Sequence, residues 1–132
     1  YDFALVEETD RPAVFDLRPA VRAIAADLGR AVDPPLVAAR FHRTLAEIIL
    51  AAARRFCPRL GTSTVALSGG CFQNKILTET TMALLEAGGL EVIIHRRVPP
   101  NDGGVALGQA AVAAHRWHGR QNGSSHVSGH TR

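Results

Sequence analysis

Thr64-Val65-Ala66-Leu67-Ser68-Gly69-Gly70-Cys71-Phe72-Gln73-Asn74 decides how this chain is read. Four residues rich in β-branched and apolar side chains have the length of a short buried strand. Ser68-Gly69-Gly70 breaks that strand, and Phe72 to Ala87 reads as a helix closed by Gly88-Gly89. Glu91-Val92-Ile93-Ile94 supplies a second strand. A loop, Pro99-Pro100-Asn101-Asp102-Gly103-Gly104, then leads into a helix expected from Val105 to Trp117. A strand, a helix and another strand in that order predict parallel strands joined by a helical crossover, hence an α/β fold.

Upstream, residues 1–17 read as a β-hairpin, with Phe3, Leu5 and Val6 on one side and Val14, Phe15 and Leu17 on the other. Asp16 is positioned to cap a helix running to Leu28, with Val21, Ile24, Ala25 and Leu28 on its apolar face. Asp33-Pro34-Pro35 is a strong start signal for a longer helix reaching Phe56, with Pro58 and Gly61 ending it. Val37, Phe41, Leu45, Ile48, Ala52 and Phe56 are expected to line its buried face. Residues 119–132 are polar and are expected to form a disordered tail, leaving 1–118 as the folded unit.

The chain has 132 residues, 46% hydrophobic and 20% charged, which is the composition of one globular domain. No apolar run approaches the roughly 20 residues of a membrane span, and no signal peptide is visible. The opening on Tyr1 reads as a piece of something longer. The net charge of +3 is spread over scattered arginines without interleaved aromatics, so no dedicated nucleic-acid binding is expected. Cys57 and Cys71 form no CxxC pattern and suit a reducing cytoplasm; Cys71 reads as a core thiol.

Two loops could carry chemistry. In the first, Gly69 and Gly70 would let the backbone approach a ligand, and Gln73 and Asn74 offer donors and acceptors for a ribose or base. It lacks the Gly-Lys-Ser/Thr of a P-loop, and Ser68 is not framed as a nucleophile elbow. A merely Gly-rich turn remains the alternative. In the second, Asp102 falls beyond the end of a parallel strand, where α/β sheets hold ligands and a carboxylate suits a hard cation. Capping of the last helix would explain Asp102 equally well. Gly104 and Gly108 would be explained by a close helix contact. His42, on the long helix, reads as a boundary residue.

Together, Ala39-Arg40-Phe41-His42 with Leu45-Ala46, Val65 through Asn74, and Pro99 through Gly104 with Leu107-Gly108-Gln109-Ala110 resemble the C-terminal part of the HypF carbamoyltransferase family of [NiFe]-hydrogenase maturation. That resemblance implies the second half of an ASKHA (actin/sugar-kinase-like, ribonuclease H-like) module, shared with TsaD enzymes and O-carbamoyltransferases. It implies nucleotide binding by Ser68, Gly69, Gly70, Gln73, Asn74, Gly103, Gly104 and His42, with Asp102 as a ligand of a divalent metal (Mg or Fe/Zn). It implies ATP and carbamoyl phosphate as substrates, a carbamoyl adenylate product, and transfer of the carbamoyl group to the C-terminal cysteine of a HypE-like acceptor for cyanide synthesis. The first half of the module is missing, so the chain alone is expected to be inactive. A non-catalytic nucleotide-binding or docking module needing a partner subunit, or another O-carbamoyltransferase or TsaD relative, are the competing expectations.

Overall fold

A computed structural model describes residues 1–7 and 11–123. In chain order it contains β1 (Ala4–Val6), β2 (Val14–Asp16), α1 (Arg18–Gly29), α2 (Pro34–Leu60), β3 (Thr64–Leu67), α3 (Lys75–Ala87), β4 (Glu91–Ile94) and α4 (Val105–Gly123). Short 3₁₀ turns at Gly70–Gln73 and Asp102–Gly104 precede α3 and α4. β3 and β4 are parallel, with Thr64 opposite Glu91 and Leu67 opposite Ile94, and α3 is their crossover. β1 and β2 form the expected antiparallel hairpin, Ala4 opposite Asp16. This is the expected α/β architecture of short parallel strands, helices and an N-terminal hairpin.

Packing explains where the elements begin and end. Pro34 and Pro35 occupy the first turn of α2, and the Asp33 side chain makes no capping hydrogen bond. Its backbone carbonyl accepts from Leu36 and Val37 instead, at 2.9 and 3.1 Å. The helix runs through Pro58 rather than stopping at Phe56, and it ends in a Schellman motif. There Gly61 takes φ 63°, its N–H reaches the Pro58 carbonyl, and the Thr62 N–H reaches that of Cys57. α3 starts at Lys75, not Phe72, because the Asn74 side chain caps it by accepting from the Leu77 N–H at 3.0 Å. The start of α1 is likewise displaced. Leu17 is the flanking residue, although the Asp16 carboxylate still takes the Arg18 N–H at 2.9 Å.

The core lies where α2 and α3 cover the parallel pair. Leu50, Ala53 and Cys57 of α2 meet Leu67 of β3 and Leu85 of α3, with Val65, Val92 and Ile94 packed alongside. Val37 is buried as expected, but farther along α2 the buried face is rotated from the expected one. Ala46, Leu50, Ala53 and Cys57 form the inner stripe, whereas Phe41 remains exposed. Ala46 and Ala53 are buried and small, and a larger side chain at either position would have to displace its neighbours.

α1 also departs from its apolar pattern, since Val21 and Leu28 are exposed and the buried positions are Ala20 and Asp27. The Asp27 carboxylate accepts from Tyr1 Oη at 2.9 Å, from Arg30 at 2.6 Å and from Arg40 at 2.6 Å, joining the N-terminal segment to α1 and α2. The Arg30 and Tyr1 hydrogen bonds outweigh the opposing effect of burial and, with Arg40, hold this carboxyl below its ordinary range. α4 continues past the expected end at Trp117 to Gly123, and the remainder of the expected tail lies outside the described residues. Among the described residues no helix is long and apolar enough to cross a membrane.

Candidate functional site

In a parallel pair both strands end on the same edge, so the segments after Leu67 and after Ile94 must emerge together. This brings the two glycine-bearing loops into contact. The Gly69 N–H donates to the Pro100 carbonyl at 2.7 Å, tying Ser68-Gly69-Gly70 to the Pro99–Gly104 loop. Gly69 has φ 105°, a region that favours glycine, and this conformation turns the chain from β3 into the 3₁₀ turn. Gly70 is exposed beside Asn101. A recess of about 140 Å³ opens at this edge, lined in part by Phe72, Gln73, His95 and Pro100.

Asn74 and His42 meet across the gap between the α3 cap and α2. The Asn74 Nδ2 amide lies 2.9 Å from His42 Nε2, and His42 Nδ1 lies 2.8 Å from the Ala38 carbonyl. A carbonyl only accepts, so Nδ1 carries the proton and Nε2 accepts from Asn74. Both polar ends of Asn74 are thus engaged, one with the Leu77 N–H and one with His42. His42 supports the loop from α2 in this way.

In the second loop the Asn101 side chain accepts from the Gly103 N–H at 3.1 Å and so caps the 3₁₀ turn that leads into α4. Asp102 is exposed, and its carboxylate makes no hydrogen bond or ion pair with the described residues. Gly104 fits tightly against its own loop, where a Cβ would lie 2.9 Å from the Pro99 carbonyl oxygen. A Cβ at Gly108 would meet nothing within 4 Å, so no helix contact accounts for both glycines.

No complete metal centre forms among the described residues. Among the described residues no three His, Cys, Asp or Glu side chains gather closely enough to hold an ion. Asp102 can offer one carboxylate only. Cys71, expected in the core, is exposed, while Cys57 is the buried thiol.

Sequence reasoning misses His95 as a member of the site. His95 Nε2 stands 2.9 Å from Ser68 Oγ. The parallel register contains the signal, since Ser68 and His95 each come directly after the last residue of a paired strand.

The family model described as "Carbamoyltransferase, Kae1-like Domain, second subdomain" matches residues 1–109. A "Carbamoyltransferase HypF homolog" of Cupriavidus necator is 43% identical over 107 residues, covering 80% of this chain and 27% of that protein. Carbamoyltransferase HypF2 of the same organism is 40% identical over 107 residues, covering 81% of this chain and 13% of its own length. The chain thus spans a minor part of these relatives. A crystal structure of full-length HypF in its phosphate- and nucleotide-bound form superposes with a TM-score of 0.79 and 34% identity, covering 86% of this chain and 15% of that one.

Proposed function

This chain belongs to the HypF carbamoyltransferase family as a second subdomain of its Kae1-like domain, and from that premise we propose that it forms one wall of an ATP-binding cleft. The observation that carries this reading is the junction of the two loops at the carboxyl edge, closed by the 2.7 Å bond between Gly69 and Pro100. Exposed backbone at Gly70, side chains at Ser68 and Gln73, and the Gly103-Gly104 turn offer a nucleotide small, polar surroundings. Asn74 and His42 act by shaping the turn from behind. The solved HypF structure bound to phosphate and nucleotide supports the choice of ligand.

The other wall comes from the first subdomain of the Kae1-like domain. α4 leaves Val105 and Val112, seven residues apart and so on one helix face, both exposed at 51%, and a contact with that subdomain would cover them. The Asp102 carboxylate, without a partner among the described residues, would then supply one ligand to a divalent metal, which would neutralise phosphate charge. In the complete enzyme, ATP, carbamoyl phosphate and water yield carbamoyl adenylate with release of pyrophosphate and inorganic phosphate. The carbamoyl group then passes to the C-terminal cysteine of a HypE-like acceptor during hydrogenase maturation in the cytoplasm.

Steady-state kinetics of a complete HypF carrying this subdomain test the reading. Substitution of Gly70 should raise the Michaelis constant for ATP and spare that for carbamoyl phosphate. An unchanged ATP constant in a folded variant would remove the loop from the site.

A further inference from the structure

We propose that His95 is a positioning residue that orients the Ser68 hydroxyl toward the nucleotide, an inference that rests on the nucleotide reading of this turn. Leu67 opposite Ile94 is the last register pair of β3 and β4, and Ser68 and His95 continue it one step beyond the sheet. That step brings Nε2 of His95, which lines the recess, to 2.9 Å from Ser68 Oγ. Neither side chain makes any other hydrogen bond with the described residues. Both residues are exposed, so the bond satisfies no buried polar group and contributes little to stability.

What the bond does is select a rotamer. The Ser68 side chain has about three staggered wells, and the contact with His95 favours one of them. A hydroxyl both donates and accepts, so with either ring tautomer of His95 it keeps capacity for a second partner. Pinning the productive well raises its population by up to about three-fold. Losing the hydroxyl removes a ligand hydrogen bond, about five-fold in affinity.

The test is a double-mutant cycle in a complete HypF carrying this subdomain, read as the Michaelis constant for ATP. Ser68→Ala should raise it about five-fold and His95→Ala about three-fold. The double variant should match Ser68→Ala alone, because no hydroxyl is left to orient. His95→Gln, whose amide can also bond the hydroxyl, should restore the wild-type constant, and kcat should change little throughout. Multiplying effects in the double variant would overturn the proposal. So would an unchanged constant in His95→Ala while Gly70→Val still raises it, which leaves the nucleotide site standing. If Gly70→Val also leaves the constant unchanged in folded protein, the nucleotide reading falls and this inference with it.

Discussion

Gly70→Val separates a glycine needed by a ligand from one needed by the fold. A Cβ built at Gly70 meets nothing nearer than the Asn101 Cβ at 4.0 Å, an ordinary van der Waals distance. Gly70 is also absent from the glycines with positive φ, so its backbone suits an L-residue. At a compatible position, replacing glycine with alanine stabilises by about 0.4–1 kcal/mol through the unfolded state, so the fold has no objection to a side chain here. Its neighbours behave otherwise. Gly69, at φ 105°, would be strained by any side chain, at a cost on the order of 1–3 kcal/mol. At Gly104 a Cβ would press to 2.9 Å from the Pro99 carbonyl, and backbone would have to move. If adenosine lies against Gly70, the valine methyls occupy its space and the Michaelis constant for ATP rises at least about ten-fold, equivalent to about 1.4 kcal/mol. The assay is steady-state kinetics on both substrates in a complete HypF, with a melting curve on the same preparation. A wild-type melting temperature with an unchanged ATP constant would refute the reasoning, as would equal losses for ATP and carbamoyl phosphate.

Two further predictions address the second loop and the buried carboxylate. Asp102→Ala should leave the melting temperature unchanged, because the Asp102 carboxylate bonds nothing among the described residues, and should depress carbamoyl adenylate formation. A loss of about 1 kcal/mol of stability with normal turnover would show a capping role for Asp102 after all. The Asp27 carboxyl is held below its ordinary value of 3.8, so its contribution is fully present above that pH and fades as pH falls through the lower folded value. Asp27→Asn should therefore melt lower than wild type at pH 7, with the gap closing below about pH 4. A gap that stays constant in acid would contradict this assignment.

The hairpin, the parallel strands and the loops are legible in the sequence because each rests on a local signal: a turn cluster, an apolar run, a glycine pair. The features that sequence reasoning misplaces depend on contacts between distant segments. Periodicity gives the buried face of α2 to large side chains such as Phe41, whereas Ala46 and Ala53 lie on the inner stripe and Phe41 stays outside. Asp27 looks like a polar interruption of α1, yet Tyr1 and Arg40, far from it in sequence, make its burial tolerable. The start of α3 falls later than the apolar pattern suggests because Asn74, which reads as a ligand group, is also the cap. His95 carries no motif of its own, and only the register of β3 and β4 brings it to Ser68.

If these loops make one wall of a nucleotide cleft, the other wall is the first Kae1-like subdomain and tight binding needs both. Calorimetric titration of ATP with Mg²⁺ into the chain alone, and then into the chain mixed with that subdomain, tests this directly. With half the cleft, few contacts offset the cost of ordering the ligand, so binding alone should be weaker than about 1 mM. Adding the first subdomain should bring the dissociation constant into the measurable range. A low-micromolar constant for the chain by itself would contradict the two-walled cleft.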